Sequence, residues 1–137
     1  MTATIHWDEA FPLLRLDGVG ARDFLQGQTT ADLSRVADGV LELSCWLTAT
    51  GRLRALLELR FDGTGADVLV LAGDAQAVSR GFDQVIFPAD RVRLVASGRQ
   101  RRVQDLDPAG SVWWLSEEQP LPDALVGSMR LLDSVRL

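Results

Sequence analysis

Five polar side chains of one short segment have the chemistry to hold a small molecule. They contribute amides, hydroxyls and one carboxylate, and they are Gln26, Gln28, Thr29, Thr30 and Asp32. Such groups can form in-plane hydrogen bonds with a heterocycle when a rigid element presents them. The same residue types also cap helix ends and close turns. Two interpretations of this segment are therefore open: its side chains bind a ligand, or they cap the helix and shape the loop.

A predicted strand and a predicted helix come directly before these polar residues. The apolar residues Leu13, Leu14 and Leu16 are followed by Asp17-Gly18, which is typical of a strand that ends in a turn. Residues 21–28 then repeat their apolar positions at helical spacing, which predicts a short helix with one face on a core. The helix would present the polar segment from a fixed position.

The segment resembles the N-terminal signature of a folate-binding family. Residues 16–33 read LDGVGARDFLQGQTTADL, and residues 50–55 read TGRLRA. The family contains the aminomethyltransferase (T-protein) of the glycine cleavage system. It also contains non-catalytic YgfZ-type relatives that are linked to iron-sulfur cluster maintenance and tRNA modification.

The resemblance covers the chain from about Phe11 to Val95 and implies both a fold and a function. The family joins two subdomains of related topology, and we expect 1–137 to be a single truncated GcvT/YgfZ-like domain that holds the first. The implied function is a YgfZ-like binding or accessory role in iron-sulfur cluster maintenance, tRNA modification or one-carbon metabolism. The alternatives are a tetrahydrofolate-dependent aminomethyltransferase-like enzyme completed by a second subunit, and a ligand-free scaffold.

The ligand that the resemblance implies is tetrahydrofolate or another folate. A pterin needs a flat wall and in-plane hydrogen bonds, and its glutamate tail needs a cation. The folate-binding candidates are Phe11, Gln26, Gln28, Thr29, Asp32, Arg52 and Arg54. No catalytic residue is assigned, because the Lys-Gly-Cys-Tyr-x-Gly-Gln segment of the YgfZ-type relatives has no counterpart here. The folate carboxylate of the aminomethyltransferase lies downstream of the matched part.

A hairpin is predicted around Thr50-Gly51, between two runs with alternating apolar residues. On the first run the apolar set from Leu41 to Ala49, including Cys45, is expected to face the core, which would bury the Cys45 thiol as an inert group. Trp46 falls on the polar phase, beside Arg52, Arg54, Arg60 and Glu58. This polar face is open to three interpretations, a solvated face, a protein interface or a ligand wall.

The remaining pattern predicts an α+β fold, a mainly antiparallel sheet with helices packed on one face. A third strand follows over residues 67–72, and a helix begins after Gly73-Asp74 and ends before Pro88. Further strands are expected over residues 91–97, 101–106 and 111–116. A last helix is expected from the spacing of Leu125, Met129, Leu132 and Val135.

Composition narrows the classes of partner. The chain of 137 residues carries 14 arginines, no lysine and a net charge of −5, which argues against general nucleic-acid binding. It holds one cysteine, one histidine and no apolar run long enough to span a membrane, so we expect no disulfide, no metal site and a cytoplasmic protein. His6 is expected at the surface, and the isolated carboxylates Asp17, Asp23, Asp32, Glu42 and Glu58 are expected to be solvated or capping.

A homodimer, or a partner subunit that supplies the missing half, is expected from the short length and the four tryptophans. The interface candidates are Trp46, Trp113 and Trp114.

Overall fold

A computed structural model describes residues 4–107 and 110–131 of the chain, apart from the side chains of residues 96 and 97. These residues form seven β-strands and two α-helices. The chain divides into two compact units, Pro12–Gly98 and the pair Met1–Phe11 with Arg99–Leu137. The single domain over 1–137 remains a prediction.

The continuous unit, Pro12–Gly98, is built around an antiparallel sheet. Its strands follow the order β2-β3-β4-β1, and every neighbouring pair is antiparallel. The elements in chain order are β1 (Ile5–Asp17), α1 (Ala21–Gln28), β2 (Glu42–Leu47), β3 (Leu53–Asp62), β4 (Gly65–Gly73) and α2 (Ala75–Val85). A 3-10 turn, Pro88–Asp90, follows α2.

The discontinuous unit brings the start of the chain together with its last third. Its remaining strands are β5 (Arg93–Asp105), which begins in the other unit, β6 (Val112–Leu115) and β7 (Met129–Arg130). Strand β6 pairs antiparallel with β5, and β7 pairs parallel with the first residues of β1. A small apolar cluster fills this unit, with Val103, Leu115 and Leu125 buried and Trp113 and Leu121 packed against them.

The predicted α+β class, with helices covering one face of the sheet, is wrong, because the fold is β-rich. The two strands expected over residues 91–97 and 101–106 are one strand of 13 residues, β5. The last predicted helix is absent from the described residues, where Met129–Arg130 is a strand stabilised by pairing with β1. Leu132 and Val135 lie outside the described residues.

The predicted hairpin is confirmed. The Thr48 N–H donates to the Arg52 carbonyl, and the Gly51 N–H donates back to the Thr48 carbonyl. Gly51 has a φ of 86°, in the left-handed region that glycine adopts without a steric cost. The turn therefore needs the residue type that the sequence places there.

The side of β2 that faces the core is opposite to the one expected. Ser44 and Trp46 are buried, whereas Leu43 is 51% exposed and Leu47 is 36% exposed. Cys45, expected to be buried, is only half-buried. Counting apolar residues misled the prediction because the indole of Trp46 has far more apolar surface to bury than a leucine side chain.

The two predicted helices of the continuous unit are confirmed, and each buries the middle of its expected face, although Val85 at the end of α2 is 37% exposed. Helix α1 buries Ala21, Phe24 and Leu25. Helix α2 begins after Asp74, whose carboxylate accepts a hydrogen bond from the Gln76 N–H, and it buries Val78 and Phe82.

Aromatic packing joins both helices to the sheet. The Phe82 ring lies edge-on to Phe24 of α1, with centroids 5.5 Å apart, and edge-on to Trp46 of β2, with centroids 5.4 Å apart. The Trp46 ring also passes so close to Gly81 of α2 that a Cβ there would overlap the indole. Gly81 is therefore required by the packing of Trp46.

A matched pair of helical glycines tests this packing. We expect Gly81→Ala to lower the free energy of unfolding by about 1–3 kcal/mol, because the added methyl group displaces the indole. Gly27→Ala in α1 meets no atom within 4 Å, so we expect it to raise the free energy of unfolding by up to about 1 kcal/mol. Urea unfolding measures both, and a Gly81→Ala protein as stable as Gly27→Ala would contradict the packing.

Candidate functional site

The turn between β1 and α1 packs directly on the backbone that follows α2. A Cβ on Gly18 would overlap the Arg91 carbonyl oxygen, and a Cβ on Gly20 would overlap the Asp90 carbonyl oxygen. The Gly20 N–H donates to the Arg91 carbonyl at 3.2 Å. Both glycines of the Asp-Gly-Val-Gly sequence therefore permit a close approach of two backbone segments.

The polar side chains in the last turn of α1 and in the loop after it bond mostly to the backbone around them. Gln26 Oε1 accepts a hydrogen bond from the Leu33 N–H at 2.6 Å, and the Thr29 hydroxyl donates to the Leu25 carbonyl at 2.8 Å. Thr30 Oγ1 accepts from the backbone N–H of β2 at Cys45. These contacts close the helix end and join the loop to the edge of the sheet.

Asp32 and Gln28 complete the predicted polar set. The Ser34 hydroxyl and the Ser34 N–H both donate to Asp32 Oδ1, and they lower the pKa of that carboxyl. The side chain of Gln28 has no hydrogen bond to any described residue. Of the polar set, Gln28 is therefore the residue whose amide is available.

Arg22 holds the loop after α1 and was not singled out from the sequence. Its Nη1 donates to the carbonyl oxygens of Leu33 and Val36, at 2.7 and 2.6 Å. Its guanidinium carbon lies 4.2 Å from the ring centroid of Phe61, and Nη2 lies 3.3 Å from Asp38. Backbone carbonyls leave no residue-type signal, so the sequence offered no means of finding this role.

A charged cluster centred on Arg15 lies on the face of the sheet opposite Trp46. The guanidinium donates to Asp62 at 2.8 and 3.1 Å, to Asp67 at 3.2 Å and to the Thr64 hydroxyl at 2.8 Å. The hydrogen bonds from Arg15, with those from the Thr64 backbone and hydroxyl, hold the pKa of Asp62 well below its usual range. Asp62 raises the pKa of Arg15 in return. The cluster joins β1, β3 and β4.

A small cavity of about 110 Å³ lies between the β1–α1 turn and the β3–β4 turn. It is lined by Gly18, Val19, Ala21, Arg22, Phe61, Asp62, Gly63 and Gly65. Pockets that enclose drug-sized ligands are about 300–1,000 Å³, so this cavity has room for a few water molecules and not for a pterin. This cavity is therefore too small to enclose the ligand that the sequence analysis predicts.

Arg54 and Trp46 form a stacked pair beside the hairpin turn. Trp46 pairs with Ala55 while Leu47 pairs with Leu53, which leaves Arg54 as the extra residue of a β-bulge. The Arg54 guanidinium carbon lies 3.8 Å from the centroid of the Trp46 ring. Arg54 is exposed, and its donors bond to no side chain or carbonyl of the described residues. We call this pair the Arg54–Trp46 platform.

The remaining candidate residues lie on different elements and differ in exposure. Arg52 is exposed near the platform. Phe11 belongs to the discontinuous unit, where it is buried and edge-on to Trp7, with centroids 5.8 Å apart. Trp113 and Trp114 are half-buried on β6. Trp46 is 6% exposed and belongs to the core of its unit.

Two of the expectations for single residues need correction. His6, expected at the surface, is 3% exposed, because pairing of β7 with β1 covers it, and its Nδ1 lies 2.9 Å from the Ser128 hydroxyl. Glu58, expected to be solvated or capping, is 2% exposed on β3. The exposed carboxylate Asp23 lies in the first turn of α1, where it complements the helix dipole.

Residues 4–107 and 110–131 contain neither a cluster of metal ligands nor a membrane-spanning helix. No three His, Cys, Asp or Glu side chains in this part of the chain are grouped as metal ligands would be. None of its helices combines the length and the apolar character needed to cross a bilayer.

Comparison with solved structures identifies the fold. The chain is similar to the glycine cleavage system aminomethyltransferase T from Bartonella henselae, with a TM-score of 0.60 and 18% sequence identity. The match covers 75% of this chain and 28% of that protein, so the chain spans less than a third of its length. The expected GcvT-like fold is confirmed. No protein-family model and no curated protein sequence matches the chain.

The charged cluster around Arg15 predicts a pH-dependent loss of stability. We expect Asp62→Asn to lower the free energy of unfolding by about 1–2 kcal/mol at pH 7. Because the folded pKa of Asp62 is depressed, its contribution is present above the unfolded carboxyl pKa and is lost as the pH falls. The difference between the variant and the native protein should therefore shrink between pH 5 and pH 2, as measured by urea unfolding.

Asp38→Asn is the matched control. Asp38 is exposed and has a single ion pair, with Arg22 at 3.3 Å, so we expect a change within about 0.5 kcal/mol. A difference for Asp62→Asn that stays constant down to pH 2 would refute the assignment.

Proposed function

We propose that this chain is a YgfZ-like binding or accessory domain of the folate-binding family. Its ligand is a tetrahydrofolate-type molecule, and its role lies in iron-sulfur cluster maintenance, tRNA modification or one-carbon metabolism in the cytoplasm. The GcvT-like fold supports the family, since the aminomethyltransferase is a solved structure with the same fold. The motif over residues 16–33 supports the same assignment from the sequence.

The Arg54–Trp46 platform is the observation that carries the proposal for the ligand. A guanidinium group is planar and stacks on aromatic rings, and the Arg54 guanidinium already lies 3.8 Å above the Trp46 ring. The indole of Trp46 is largely buried, but Arg54 above it is exposed. A pterin ring can therefore stack on the open side of the Arg54 guanidinium instead of stacking on the indole. The result is an ordered stack of indole, guanidinium and pterin.

Arg52 supplies the charge that the other end of a folate requires. It is exposed, and its guanidinium has no carboxylate partner among the described residues. The glutamate tail of a folate carries carboxylates, which an arginine can bind with two parallel hydrogen bonds. We therefore assign Arg54 to the ring and Arg52 to the tail.

The hydrogen bonding of the motif over residues 16–33 favours a binding role over a catalytic one. Its amide and hydroxyl side chains are largely engaged in hydrogen bonds that hold the loop between α1 and β2. An open surface platform also buries little of a ligand, so we expect a micromolar or weaker dissociation constant.

Calorimetric titration with a tetrahydrofolate analogue tests the proposal. We expect Arg54→Ala to weaken binding about tenfold, since a stacked cation is worth about 1–2 kcal/mol. Arg52→Ala should weaken binding of the analogue but not of a tetrahydropterin, which has the ring alone and no carboxylate. Arg93→Ala, at an exposed arginine of β5, is the matched control and should bind as the native protein does.

The results of these titrations distinguish a folate-binding domain from an interaction scaffold. Native affinity in both Arg52→Ala and Arg54→Ala would move the site away from the platform. No binding at millimolar ligand would reject the folate proposal and leave an interaction scaffold.

A further inference from the structure

The backbone around Arg54 holds its guanidinium over the Trp46 ring. Ala55, the next residue along β3, is buried and pairs with Gly73 of β4. A Cβ on Gly73 would overlap the Arg54 carbonyl oxygen, so the two strands meet closely at this point. Arg54 therefore extends from a fixed backbone, and its guanidinium carbon lies 3.8 Å from the centroid of the Trp46 ring. The platform presents a cation in a defined position.

The positive charge of Arg54 is not balanced within the part of the chain that the structure describes. Ion pairs with aspartates are formed there by Arg15, Arg22, Arg60 and Arg101. Neither Arg54 nor Arg52 forms an ion pair with a described residue. Asp74 adjoins Gly73, but its carboxylate accepts the Gln76 N–H as the cap of α2. The hairpin thus carries two exposed cations without a carboxylate partner among the described residues.

A guanidinium that already stacks on one ring limits the charge that a second ring can carry. The face of an indole attracts a cation, and the planar guanidinium can stack on a neutral aromatic ring with its other side. A ring system that is itself a cation is repelled by the same guanidinium, because two like charges then lie one stacking distance apart. The platform therefore distinguishes ligands by the charge of the ring.

Tetrahydrofolates fall into two classes by this criterion. A formyl or methylene group leaves the ring system neutral. A methenyl bridge between the ring and the side-chain nitrogen forms an amidinium with a full positive charge. This charge lies beside the pterin ring that stacks on Arg54 in the proposed site, whereas the glutamate tail is the same in both classes.

We infer that the Arg54–Trp46 platform favours tetrahydrofolates whose ring system is neutral over those whose ring system is a cation. Arg54 is then a specificity-determining residue as well as a stacking surface. Arg52 binds the tail, which both classes share, so it raises the affinity for both without separating them. The inference rests on the proposed function and adds the class of folate that the site takes.

The discrimination is moderate because the platform is open to water. Two like charges about 4 Å apart in water weaken binding by about fivefold, and dissolved salt screens them. We therefore expect the neutral class to bind about fivefold more tightly at low ionic strength. This preference should fall as salt is added.

Calorimetric titration of the full chain with two probes tests the inference. The neutral probe is folinic acid, which has a formyl group on the ring, and the cationic probe is methenyltetrahydrofolate. Both have the same tail, and mildly acidic buffer preserves the methenyl bridge. We expect the native protein to bind folinic acid about fivefold more tightly, and a salt concentration of about 1 M to bring the two dissociation constants together.

Two glutamine variants assign the preference to one arginine. Arg54→Gln removes the charge and keeps a planar amide for stacking, so we expect it to bind the two probes within about twofold of each other. Arg52→Gln is the matched control, because it removes the other exposed cation of the hairpin. Both affinities should fall in this variant, while their ratio stays as in the native protein.

Equal binding of the two probes by the native protein at low salt, or tighter binding of the cation, would overturn the inference. So would a preference that Arg54→Gln retains or that Arg52→Gln abolishes. These results would leave the proposed function intact, because a folate would still bind. Binding of neither probe at millimolar concentration would overturn the proposed function and the inference together. The salt series uses the native protein alone, so it decides the question even where a variant does not fold.

Discussion

The position of one indole ring determines the arrangement of the continuous unit. Trp46 packs edge-on to Phe82 and lies so close to α2 that residue 81 must be glycine. Because Trp46 faces the core, its neighbours Cys45 and Leu47 must face outward, since side chains alternate along a strand. The β-bulge beside it turns Arg54 over the ring. The packing of the core and the platform are two results of this single placement.

Periodicity predicted the local elements well and the higher-order structure less well. The hairpin and helices α1 and α2 follow from patterns that are complete within a few residues, such as the cap at Asp74 and the turn at Gly51. The buried face of β2 did not follow from periodicity. Whether Trp46 or its leucine neighbours face the core depends on Phe82 and Gly81, which are distant in sequence. The fold class failed for a similar reason, since pairing with β1 makes Met129–Arg130 a strand.

The motif over residues 16–33 is to a large extent a description of a turn and a loop. Its two glycines allow the backbone of residues 18–20 to meet that of residues 90–91, and Gln26 holds the N–H of Leu33. A residue pattern of this kind predicts the fold because its members bond to their own chain. It predicts a ligand less directly, and the residues proposed for the ligand come from the hairpin, where Arg54 is the extra residue of a bulge and Arg52 is exposed beside the turn.

The division of the chain into a continuous and a discontinuous unit has a consequence for the order of folding. Pro12–Gly98 contains all of its own segments, so it can fold on the ribosome as soon as its last residue emerges. The other unit joins its two segments through contacts such as Arg101 with Asp8, which are 93 positions apart in sequence. Closing so long a loop costs entropy before any contact offsets it, which slows folding. The continuous unit therefore forms first, and the two segments of the discontinuous unit come together afterwards.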